Sequence, residues 1–296
     1  MGGALNLKVV IKKGAITLLL CLLATLLLLP ILISFTNSLM TEQEIGSNYD
    51  MIGEMTDAAN DGEDAFVNLK LIPDWVSFEQ YDKVLIETPT YLNLFWNSVY
   101  MVAFIIAGQV IVGALAAYAF AKLRFRGRDQ MFFIYLITML MPFQVTLVPN
   151  YIIADKLGLL NSAYAIILPG IFGAFGVFML RQFMLSIPTA YVEAAHMDGA
   201  GHSRIFVQII LPLIKPALAA LIVLLFVDYW NMVEQPLIFL DDDFRQPLSV
   251  YLSVIQQEAR GVGFAASVFY MLPMVLLFLY AESYFIEGVQ TSGIKG

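Results

Sequence analysis

Five stretches of this chain run for 21 residues or more without an Asp, Glu, Lys or Arg. They are Gly14–Thr41 (28 residues), Thr88–Ala121 (34), Gln130–Ala154 (25), Leu157–Leu180 (24) and Gly261–Ala281 (21). An uncharged apolar run of about 18 residues is already long enough to cross the hydrocarbon core of a bilayer. A sixth stretch, Pro212–Gln235, is as apolar but carries Lys215 near its start, Asp228 inside and Glu234 at its end. Composition agrees: 59% of the 296 residues are apolar and 14% charged, where a soluble domain has about 45–50% and 25%. No soluble fold of this length could cover that much apolar surface. The sequence predicts an all-α polytopic membrane protein with six transmembrane helices.

The first of these helices is placed at residues 15–36. Ala15–Phe35 holds ten Leu, three Ile and one Phe; at about −0.3 to −0.6 kcal/mol each near the helix centre, they favour insertion by several kcal/mol. Lys8, Lys12 and Lys13 give it a basic start. The run is longer than a signal-peptide core of 7–15 residues and no A-x-A-like site follows it. A retained signal-anchor is therefore expected.

Charge then sets orientation and excludes several classes of partner. Lys and Arg concentrate at the N-terminus, after the second helix (Lys122, Arg124, Arg126, Arg128) and after the fourth (Arg181, Arg204, Lys215). By the positive-inside rule both termini are cytoplasmic. Residues 42–87 hold twelve Asp or Glu against two Lys, so the acidity belongs to an exterior segment. A net charge of −8 argues against nucleic acid. The lone Cys21 excludes an internal disulfide or a cysteine metal cage.

The link between the fourth and fifth helices, residues 186–212, is the informative one. After Ser186-Ile-Pro188 it reads Thr189-Ala-Tyr-Val-Glu193-Ala194-Ala195-His-Met-Asp198-Gly199. Thr189 is expected as the N-cap and Gly199 as a left-handed stop. A helix of about two and a half turns, roughly 13–15 Å long, must pack on something to be stable. Glu193 is expected in or near the first turn, where the helix dipole favours an anion. Ala194 and Ala195 form a flat patch.

Glu193-Ala194-Ala195, Gly199, Ile209 and Leu211-Pro212 at this spacing resemble the EAA signature of permease subunits of ATP-binding-cassette importers. Other segments agree. Asn97-Ser98 opens the second helix and Tyr118-Ala-Phe-Ala-Lys-Leu-Arg-Phe-Arg-Gly-Arg128 closes it. Met141-Pro-Phe-Gln-Val-Thr-Leu-Val-Pro149 ends the third, Trp230-Asn231 the fifth, and the tail runs from Phe285-Ile-Glu-Gly288 to Lys295-Gly296. Over roughly residues 75–296 the chain resembles the maltose-type, second permease subunit of carbohydrate importers. It departs from that pattern at residues 45–66, an acidic insertion. The implied organisation is a cytoplasmic N-terminus (1–14), the first span (15–36), an exterior segment with the insertion (37–92) and a permease core (93–296).

The resemblance implies a type I importer permease fold in the cell membrane. Its implied partners are a second permease, two ATP-binding cassette subunits, an extracellular sugar-binding protein and a carbohydrate substrate. The ATPase-coupling residues it implies are Glu193, Ala194, Ala195, Asp198, Gly199, Ile209, Leu211 and Pro212, with Lys295 and Gly296 of the tail. It also implies that the exterior loop near Gln256, Gln257 and Glu258 meets the binding protein. The residues themselves show no phosphate-cradling G-x-x-x-x-G-K-[ST] loop, so ATP hydrolysis would belong to partners and the chain itself is expected to need no cofactor.

Asp228 lies roughly 24 Å along a helix from Pro212. It reads either as a helix-end carboxylate reaching water or, with Trp230, Asn231 and Glu234, as part of the solute pathway. His196, Asp198, His202 and Ser203 cluster within eight residues, but no H-E-x-x-H or triad arrangement follows. Neither a catalytic nor a metal site is expected. Gly170, Gly173 and Gly176 give the fourth helix a small-residue face for close packing. Trp75, Phe78 and Tyr81 read as an interfacial amphipathic segment. Two readings stay open beside the sugar importer: a permease for another solute class, and a secondary transporter working alone.

Overall fold

In hydrocarbon a backbone must satisfy its own hydrogen bonds, and a helix does so within one segment. Every described element of this computed structural model is helical. It describes residues 2–49, 70–254 and 260–293. The chain forms two compact units: residues 1–91 with 255–269, and 92–254 with 270–296.

The first unit begins with α1 (Gly2–Asn37). Within Val10–Asn37 an 18-residue window has a mean hydropathy of 2.9, and none of that window is buried inside the protein. Then comes α2 (Glu42–Tyr49), where Met40, Ile45 and Tyr49 pack with Phe264. Asn37 donates to the Tyr49 hydroxyl. Lys70 pairs with Glu44 and Asp74, and these carboxylates, Asp74 foremost, raise its pKa above the usual lysine range. The start of the segment expected to be exterior is thus folded, while residues 50–69, most of the expected insertion, lie outside the described residues. The segment around Trp75, expected as interfacial and amphipathic, is not helical at Trp75 itself. Pro73 holds Ile72 out of the helical region, and helix begins only at α3 (Glu79–Asp82), continuing as a wide turn over Lys83–Glu87. Trp75 and Phe78 are exposed, whereas Tyr81 turns inward and hydrogen-bonds Ser38 at 2.7 Å.

The second unit is built around α4 (Pro89–Lys122). It continues with α5 (Arg128–Met139), α6 (Phe143–Lys156), α7 (Tyr164–Ile171), α8 (Ala174–Ser186) and α9 (Thr189–Met197). Next come α10 (His202–Leu213), α11 (Lys215–Trp230), α12 (Glu234–Phe239) and α13 (Leu248–Ser253); α14 (Arg260–Gly293) starts in the first unit and belongs to the second from Tyr270 on.

Six crossings result only if bent pairs count as one. Four helical segments are long and apolar enough alone, but α5 and α6 meet at 100°, and α10 and α11 at 74°. Neither the third nor the fifth expected helix is therefore one straight rod. Pro142 sits in the first break and holds Met141 away from helical backbone. Pro216, at the start of α11, has no N–H to offer Pro212 four residues back, and the chain turns at Ile214 (φ −98°, ψ 10°).

The glycine face of the fourth crossing packs on α4 of the same chain. A Cβ on Gly170 would lie 2.9 Å from Ile105, and one on Gly173 would lie 2.4 Å from the amide nitrogen of Gln109. Close approach at Gly173 lets the buried Gln109 Nε2 donate to the Gly173 carbonyl at 3.3 Å. That bond lands where α7 gives way to α8, on the carbonyl of the residue that caps α8, whose second lone pair is open to it.

Candidate functional sites

The entry to α9 is set before the helix starts. Ile187 and Pro188 are extended (ψ 124° and 137°), as a residue before proline and proline itself favour. Lys122, at the end of α4, donates to the Ile187 carbonyl at 2.6 Å and fixes that corner. Helix begins at Thr189, so Pro188 occupies the cap position and no side chain caps the end. Thr189 is not the N-cap, because the proline turn precedes it. Glu193 consequently falls beyond the first turn, where a dipole contribution fades.

The exit closes as a Schellman motif. Ala200 N–H donates to Ala195 O at 2.9 Å and Gly199 N–H to His196 O at 3.0 Å. Gly199 takes φ +79°, a conformation in which side-chain-bearing residues lose about 1–2 kcal/mol. Nothing lies within 4 Å of a Cβ there, so the cost of Gly199→Ala is conformational. It should lower stability by about 1 kcal/mol, a fall of about 2–4 °C in Tm; an unchanged Tm in thermal melts of the purified complex would contradict the motif.

One face of α9 is rooted and the other is free. Val192 and Ala195 are buried in a cluster with Ile205, Phe206 and Ile210 of α10, Leu180 and Met184 of α8, and Ala217, Leu221 and Leu225 of α11. Thr189, Glu193, Ala194 and Asp198 are exposed. The two alanines therefore do not form a single outward patch: Ala194 faces out, while Ala195 is 8% exposed. With Ala190, Tyr191, Asp198 and Ile209 they line a surface groove of about 380 Å³. Leu211 is half-buried and Pro212 exposed. Lys295 and Gly296, and likewise Gln256, Gln257 and Glu258, lie outside the described residues.

A larger cavity of about 740 Å³ opens where α11 ends. Asp228, Asn231 and Glu234 all line it, with Phe143, Asn150, Tyr229 and Gln235. Trp230 does not. It is 1% exposed, stacked between Phe226 and Tyr270 at 4.9 and 5.3 Å, and its indole N–H donates to Tyr270 O at 3.2 Å. A helical step of one residue turns the side chain by about 100°, and that turn carries Trp230 away from the cavity that Asp228 and Asn231 line. Gln144 Nε2 donates to the Glu234 carboxylate at 3.1 Å. Phe143 and Asn150 of the lining, and Gln144 bonded to Glu234, were not singled out from the sequence, although the proline break preceding them was a usable signal.

Beyond the cavity, residues 240–254 are folded against α4. Leu240 and Leu248 are fully buried. Asn97 donates to Phe244 O and Gln246 O, and Leu248 N–H donates to Ser98 Oγ at 2.9 Å. This accounts for the Asn97-Ser98 pair.

Residues 109–286 match the family described as binding-protein-dependent transport system inner membrane component. The chain belongs to this family. It is a transport subunit, a multi-pass protein of the cell membrane, and not an enzyme. The family functions with a second permease, ATPase subunits and a substrate-binding protein. The chain is 32% identical over 233 residues to the arabinooligosaccharides transport system permease protein AraQ of Halalkalibacterium halodurans, covering 78% of this chain and 84% of that one. It is 28% identical over 244 residues to the polygalacturonan/rhamnogalacturonan transport system permease protein YtcP of Bacillus subtilis, covering 76% and 84%. Its fold superposes on a chain from the crystal structure of a bacterial ABC transporter involved in the import of the acidic polysaccharide alginate. There the TM-score is 0.77 and the identity 25%, over 93% of this chain and 96% of that one.

Proposed function

We propose that this chain is the second permease of an ATP-driven oligosaccharide importer, with both termini in the cytoplasm. In this reading α9 seats its free face, Glu193 and Ala194 with the groove beside them, on an ATPase subunit. The observation that carries it is that Val192 and Ala195 share one apolar cluster with α10 and α11. A push on α9 is thereby transmitted to the helix whose far end bears Asp228 and, just beyond it, Asn231. Packed interiors pass such displacements on rather than absorb them. The chain supplies alternating access and no covalent chemistry.

The sugar class rests on the relatives named for arabinooligosaccharides and for polygalacturonan/rhamnogalacturonan, and is supported by a cavity with three side-chain amides. The test is uptake of labelled arabinotriose by vesicles holding the whole importer and its binding protein. ATP-dependent accumulation is the expected result. Uptake by this chain without an ATPase would identify a transporter working alone, and uptake of a non-sugar solute in place of every oligosaccharide tried would move it to another substrate class.

A further inference from the structure

We propose that the cavity at the end of α11 passes neutral saccharides and turns away uronates, a selectivity that rests on reading this cavity as the solute's path. Its described lining holds two carboxylates, Asp228 and Glu234, and no Lys, Arg or His. Among the described residues neither carboxylate forms an ion pair. The partner of Glu234 is the neutral amide of Gln144, at 3.1 and 3.4 Å to its two oxygens. Recognition of a uronate carboxylate calls for a cation, above all the bidentate fork of arginine. Here an incoming anion would meet two like charges with low-dielectric walls behind them, where repulsion reaches further than in water.

The rest of the lining suits a neutral sugar. Asn150, Asn231 and Gln235 offer amide donors and acceptors, and Phe143 and Tyr229 offer ring faces. Asn231 is already oriented, since its Nδ2 donates to Val227 O at 2.7 Å and its Oδ1 accepts from the Tyr270 hydroxyl at 3.1 Å. The volume of about 740 Å³ falls within the range of small-molecule sites, about 300–1,000 Å³. By this argument the chain differs in substrate charge from similar proteins named for polygalacturonan and for alginate, and sides with the one named for arabinooligosaccharides.

The experiment places a single thiol in the cavity, Asn231→Cys on a Cys21→Ser background, in the complete permease–ATPase complex in lipid nanodiscs. Cationic and anionic thiosulfonate reagents of equal size are compared. The cationic one should react about tenfold faster relative to a free thiol, the ratio that about 1.4 kcal/mol gives. Adding Asp228→Asn and Glu234→Gln, which keep shape, should erase the preference. Arabinotriose should protect the thiol and trigalacturonate should not, until both carboxylates are neutralised. Equal or faster reaction with the anionic reagent, or protection by trigalacturonate in the unneutralised complex, overturns the charge selectivity and leaves the pathway standing. Protection by neither sugar, in complexes that still import arabinotriose, overturns the pathway reading and this inference with it. Co-purification of all subunits checks that each variant assembles.

Discussion

Glu193→Lys should abolish sugar-stimulated ATP hydrolysis in the reconstituted importer while leaving insertion and assembly of the permeases intact. The side chain is exposed and, among the described residues, has no ion-pair partner within the chain. Glu and Lys have nearly equal helix propensity, and the face that roots α9, Val192 and Ala195, is untouched. The substitution therefore costs the isolated subunit almost nothing. Its effect must come from the surface that α9 meets. A like charge set against a cationic partner costs several kcal/mol, enough for a fall of a hundredfold or more in coupled turnover. The measurement is ATPase rate with and without the liganded binding protein. A stimulated rate within twofold of the native one would show that Glu193 faces no such partner.

The second large effect is on folding. Gly173→Leu should leave little or no assembled protein. A Cβ at this position would sit 2.4 Å from Gln109 Nε2 and 2.9 Å from its side-chain carbonyl carbon, and leucine adds three more carbons beyond it. Overpacking alone costs about 1–3 kcal/mol. In addition, the buried Gln109 amide would lose the Gly173 carbonyl it donates to, and an orphaned buried polar group adds about 1–3 kcal/mol more. Gly201→Ala is the control: it lies at φ −76° with no atom within 4 Å of a Cβ. Membrane yield and melting temperature should drop for the first and stay level for the second. Native yield of Gly173→Leu would mean that α4 and the α7–α8 break are not in close contact.

How far these features were readable from the sequence depends on whether they rest on local or distant groups. The spans were legible because charge-free length is a local property. Gly199 was legible as a stop because its left-handed backbone is demanded by the chain on either side. The 74° and 100° breaks were legible only as prolines, since Pro149, Pro169 and Pro273 sit inside helices that continue. Whether a proline ends a helix depends on neighbours that local pattern does not reveal. Trp230 shows the same limit. Its place beside Asn231 suggested the pathway, yet which of two adjacent residues faces a cavity is settled by packing against Phe226 and Tyr270. Asn97-Ser98 carried a family signal with no visible reason, because their partners lie about 150 positions away.

The outward-facing leucines of α1 bear on how this gene can change. Where no side chain of an 18-residue window is enclosed by its own protein, solubility in oil is the property the fold asks of it. Such a segment tolerates wholesale exchange of one greasy residue for another, and its letters should drift between species far faster than those of α4, whose every glycine and amide is measured against a neighbour.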